Sequence, residues 1–185
     1  MRKSLFTGLI VLVMVLSACS SNEPEAAIPA SDDEVQESVM NFYNEISRIE
    51  QSGKSSLEDF NAALSSYSAG EVSAKQLKKA IKQFQKNAAN LTEETADVEI
   101  VSGLPENIRK LLVESIIAFQ SAYSLKEEAS KSADSPNVSP EQFNKIIENA
   151  DVAMLFGISK LNEARVASGL IEPDSTTTTE GGSAN

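Results

Sequence analysis

The sequence contains no histidine and no tryptophan, and its single cysteine is Cys19. These absences close several chemistries. Zinc hydrolysis, non-haem iron sites of the Glu-x-x-His kind and Ser-His or Cys-His nucleophiles all require a histidine or a free thiol. One cysteine cannot form a disulfide within the chain. No glycine-rich phosphate loop occurs, and with no tryptophan the indole platform that stacks sugars is missing. Eight glycines and six prolines in 185 residues are too few for a fold made of many turns, and they suit long helices. Basic residues are also scarce, with 16 Lys and Arg against 27 Asp and Glu. A chain this acidic is a poor partner for nucleic acid.

The chain opens with Met1-Arg2-Lys3, continues with an apolar run from Leu5 to Leu16, and then reads Leu16-Ser17-Ala18-Cys19. The run is about 12 residues, short of the ~20 that span a bilayer. A charged start, an apolar core and small residues before a boundary are the order of a signal peptide. With the cysteine in place, the stretch resembles a bacterial lipoprotein signal peptide and its lipobox. That resemblance implies diacylglycerol on Cys19, cleavage before it, added acyl chains such as palmitate, and a mature protein held on the extracytoplasmic face of a cell membrane. The expected source, from the Lys-, Ser- and Asn-rich style, is Gram-positive. Two or three acyl chains hold a protein in a membrane, where a single chain binds only marginally. On this reading residues 1–18 are a cleaved signal, 19–30 a lipidated tether, 31–169 the domain and 170–185 a disordered tail. Pro24 and Pro29 keep the tether extended, to at most ~35–40 Å for eleven residues.

Beyond the tether the apolar residues recur at steps of four and three. The first segment starts at a Ser31/Glu34 capping box and places Val35, Val39, Phe42, Ile46 and Ile49 on one face. Gly53 is expected to end it, with a break or reversal there. A shorter second segment then carries Leu57, Phe60, Leu64 and Tyr67 as far as Gly70. The third starts at Ser73, with Gln76 as its capping-box partner, and bears Leu77, Ile81, Phe84, Ala88 and Leu91. The fourth begins near Pro105 and bears Ile108, Leu112, Ser115, Phe119 and Ala122. The fifth is capped by Ser139 with Pro140 following, bears Phe143, Ile147, Ala150, Met154, Gly157, Leu161 and Ala164, and stops at Gly169. No stretch alternates with period two. The pattern predicts an all-α, antiparallel bundle of four to five helices with left-handed, heptad-like packing.

Four features stand out against that scaffold. Lys75, Lys79, Lys82 and Lys86 form a ridge about 16 Å long opposite the Leu77 seam, with Lys78 on its flank. Such a stripe suits an anionic envelope polymer or lipid head groups, or else it is a solvated face neutralised by a neighbouring helix. Glu93, Glu94, Asp97 and Glu99 crowd the negative end of a helix dipole, where Lys or Arg is expected. They suggest either an acidic connector or a weak hard-cation site. Gly157 lets a helix approach closely, and Leu155 and Phe156 lie off that seam, as part of a broad core face or of an exposed strip that recruits a partner helix. The carboxylates needed for glycosidase chemistry fall mainly on outward positions. The expected function is therefore non-catalytic and free of cofactor or metal: a membrane-anchored binding module for an envelope protein or anionic envelope polymer. A structural spacer without a ligand is the alternative, and a carboxylate-based cell-wall enzyme ranks below both.

Overall fold

The computed structural model describes residues 30–133 and 140–172. The signal segment, Cys19, all of the tether but Ala30, the Ser139 cap and the tail from residue 173 lie outside the described residues. Four helices occupy the rest: α1 Asp32–Ser68, α2 Ala74–Ala96, α3 Glu106–Ala133 and α4 Pro140–Ala167. Each packs on the next, α3 on α4 most broadly, while α1 meets α4 only sparingly. Neighbours run antiparallel. Arg48 meets Glu94 and Phe60 stacks on Phe84 between α1 and α2, while Glu114 meets Lys160 and Lys126 meets Asp151 between α3 and α4. The domain is thus an all-α bundle, with no strand among the described residues.

The capping boxes predicted at Ser31 and Ser73 both form. Ser31 N–H donates to Glu34 Oε2 at 2.8 Å and its hydroxyl accepts from Glu34 N–H; Ser73 and Gln76 repeat the exchange. These bonds satisfy donors that a helix start leaves orphaned, and the backbone bond from Ser31 holds the Glu34 carboxyl below its ordinary pKa. Gly70 and Gly169, both at φ 76°, stop α1 and α4. At each stop the next residue reaches back, Glu71 N–H to Ser66 O and Leu170 N–H to Arg165 O, both at 2.9 Å. Only the left-handed conformation closes this motif, which is why glycine sits there.

The expected break at Gly53 does not occur. α1 is one helix of 37 residues, about 55 Å at 1.5 Å per residue, and Gly53 lies buried inside it. Its missing side chain answers a tertiary demand. A Cβ there would fall 2.8 Å from Tyr123 Cε1 and 3.4 Å from Leu91 Cδ1. Tyr123 reaches from α3 across the bundle diagonal and lays its ring against the α1 backbone. Five predicted segments therefore become four helices.

The predicted seams face inward. Val35, Val39, Phe42, Ile46 and Ile49 join Leu91, Ile108, Leu112, Phe119, Leu161 and Ala164 in the main core. A smaller cluster of Phe60, Ile81 and Phe84 fills the other end, with Phe143 of α4 tilted against Phe60. Tyr67, assigned to the second seam, is 44 % exposed, so that seam runs out before the end of α1. Two boundaries shift. Ala30 donates to Gly103 O at 3.3 Å and packs on the core, and Leu170 packs there as well, so both belong to the domain and not to the tether or tail. Ala30, the α2–α3 loop and Leu170 therefore share one end of the bundle.

Candidate functional site

α3 and α4 come close because their facing positions are small. A Cβ on Gly157 would lie 3.0 Å from the Phe119 ring and 3.3 Å from Ala118 Cβ. Ser115, buried on α3, donates its hydroxyl to Gly157 O at 3.0 Å and so removes the cost of a buried polar group. Lys126–Asp151 at 3.7 Å and Lys160–Glu114 at 3.8 Å tie the pair at its margins. The seam reading of Gly157 is correct.

The outer side of the same pair is where apolar residues are left uncovered. Ile117 is 59 % exposed, Val152 67 %, Leu155 66 % and Phe156 50 %. Val113 extends the strip along α3. Between the helices runs a shallow groove of about 490 Å³, floored by Ala118 and Ala153 and walled by Ile117, Leu125, Val152 and Phe156. A second groove of about 550 Å³ flanks the other side of α4, along Leu155, Ile158 and Val166. Val152, Leu155 and Phe156 thus form an apolar ridge between two depressions. Glu114, Lys160 and Glu163 rim it, with Lys160 Nζ 2.8 Å from Glu163 Oε2 and 5.4 Å above the Phe156 ring. Contiguous exposed apolar surface of this kind marks interaction sites.

Of the two readings of Leu155 and Phe156, the exposed strip is the one the structure places. The sequence reading missed Val113, Ile117 and Val152. Their signal was present as i, i+4 pairs, Val113 with Ile117 and Val152 with Phe156, each off the buried seam by about a quarter to half a turn.

Lys75, Lys79, Lys82 and Lys86 are all exposed along α2, and none has an ion pair among the described residues. A neighbouring helix does not neutralise them. The stripe starts at the end of α2 opposite Ala30. The acidic cluster has a different outcome. Arg48 of α1 reaches Glu45 at 2.8 Å and Glu94 at 3.1 Å, beside Asp97 and Glu99, and supplies across the helix pair the cation that α2 lacks at its own end. Among the described residues no group of three or more potential ligands is placed to hold a metal ion.

Tyr123 is the other notable polar group. It is 1 % exposed and its hydroxyl has no hydrogen-bond partner among the described residues. Burial raises the phenol well above its ordinary pKa, and the charges of Glu50 and Glu94 add to this, so it stays neutral. Arg165 lies over the Tyr43 ring at 4.2 Å, where α4 closes on the start of α1.

The fold and this surface define a class: a four-helix bundle with up-down-up-down topology and an apolar outer face on its last helix pair. No protein-family model, curated protein or solved structure matches the chain. No described helix is long and apolar enough to cross a membrane.

Proposed function

We propose that this chain is a lipid-anchored, extracytoplasmic docking module whose binding surface is the outer face of α3 and α4. The observation that carries the reading is the ridge of Val152, Leu155 and Phe156 with Ile117 beside it, all at least half exposed, on helices otherwise buried along a regular seam. The anchor part rests on Leu16-Ser17-Ala18-Cys19. The tether leaves at Ala30, so the end that carries the α2–α3 loop is held within ~40 Å of the membrane. The reading is non-catalytic. The groove is shallow and mostly apolar, with Glu114 and Asn149 as its polar margins, and that suits a helix or apolar side chains more than a reacting group.

A photoreactive amino acid placed at Val152 of the anchored chain in intact cells tests this. A discrete adduct is expected from that position and none from Glu58, which is exposed on the far helix. Equal labelling at both positions, or at neither, would refute the docking face. A second reading has its own observation. The four exposed lysines of α2, without ion pairs to the described residues, suit an anionic envelope polymer.

A further inference from the structure

The charge pattern along α4 identifies what covers the ridge. Outward along this helix come Lys145 and Glu148, then Val152, Leu155 and Phe156, then Ser159 and Glu163, at steps near 3.5 residues. We propose that this face pairs with the same face of a second copy of the chain, α4 lying antiparallel to its counterpart about a two-fold axis near Met154. The proposal rests on the docking reading above and names its occupant.

In that register Val152 faces Phe156 of the second copy. Glu148 faces its Lys160, and Lys145 faces its Glu163. Every pairing occurs twice by symmetry, as an isologous interface requires. Lys145 and Glu148 have no ion pair among the described residues, so the pairing completes both. A parallel pair would instead set Lys145 on Lys145, Glu148 on Glu148 and Glu163 on Glu163, and like charges placed opposite each other suppress a pairing. The same mixed rim disfavours an anionic lipid surface, which three carboxylates, Glu114, Glu148 and Glu163, would repel.

The size fits as well. Two 28-residue helices about 10 Å apart present a face of ~42 by ~20 Å, roughly 800 Å² per partner, the scale of a specific interface. The ridge of each copy enters the α3–α4 groove of the other, so Ala118 and Ala153, the small groove floor, meet the large side chains. An antiparallel pair holds its two Ala30 ends at opposite ends. A pair anchored on one membrane therefore lies along it, within reach of both tethers.

Two tagged forms of the full chain, one Val152→Cys and the other Phe156→Cys, are produced together in cells, which are then mildly oxidised and run without reductant. Both positions are at least half exposed, so neither change disturbs the core. The expected result is a mixed disulfide dimer several-fold more abundant than either like-with-like dimer. Lys145→Glu should lower its yield, and Lys145→Glu combined with Glu163→Lys should restore it. Dominant Val152→Cys like-with-like dimers would overturn the antiparallel register. The absence of any dimer would overturn self-pairing. If the photo-adduct at Val152 then has the mass of a different protein, the docking reading stands and only the occupant is wrong; without an adduct, both fall.

Discussion

Gly53→Ala isolates the contact that makes α1 a single helix. Alanine inside a helix is favoured over glycine by ~1 kcal/mol, so on an open face the substitution would stabilise. Here the new Cβ would meet Tyr123 Cε1 at 2.8 Å and its hydroxyl at 3.1 Å, and Tyr123 is only 1 % exposed, with little room to retreat. Overpacking of a tight core typically costs ~1–3 kcal/mol. The two effects oppose each other, and the net expectation is a loss of ~0–2 kcal/mol, read from urea unfolding of residues 30–172 followed by far-ultraviolet circular dichroism. The decisive measurement is the cycle with Tyr123→Leu. That change clears the ring from Gly53, so Gly53→Ala in its background should stabilise by ~1 kcal/mol, a coupling of ~1–3 kcal/mol between residues on diagonal helices. If Gly53→Ala stabilised both backgrounds equally, Tyr123 would not lie against α1 and the account of the unbroken helix would be wrong.

Gly157→Leu should destabilise the same domain by at least ~1–3 kcal/mol, because even a Cβ there touches the Phe119 ring at 3.0 Å; a neutral midpoint in the same assay would place α3 farther from α4. Cys19→Ser should abolish incorporation of labelled fatty acid and leave an unprocessed precursor on a gel, and continued labelling would refute the lipid site. Changing Lys75, Lys79, Lys82 and Lys86 together to Gln should leave helicity unchanged and remove salt-sensitive binding to a purified anionic wall polymer. Equal binding by both proteins in a sedimentation assay would return the stripe to an ordinary solvated face.

Much of the fold was legible in the sequence, and the parts that were share a cause. Capping boxes at Ser31 and Ser73, stops at Gly70 and Gly169 and the steps of four and three are interactions within a turn or two of chain, so a linear reading captures them. All five positions assigned to the first seam and all five on the Ile108 to Ala122 seam are buried, because a helix fixes which residues share a face. The same local logic failed at Gly53. Glycine as a terminator and glycine as a gap for another helix's side chain look identical until Tyr123 is in place, seventy residues further along.

The candidate site divides in the same way. From the sequence alone came the proposal of an anchor at Leu16 to Cys19, the absence of histidine and thiol chemistry from the domain, and the lysine ridge on one helix face. Tertiary structure alone decided that Arg48 reaches Glu94, and that Lys75, Lys79, Lys82 and Lys86 have no ion pair with the described residues. It also decided that Val152, Leu155 and Phe156 stay uncovered while Met154 packs on the core. Periodicity says which residues point the same way. Only the placement of α1 to α4 says which of those directions ends at another helix and which ends in water, because burial belongs to the packed assembly and not to any one segment.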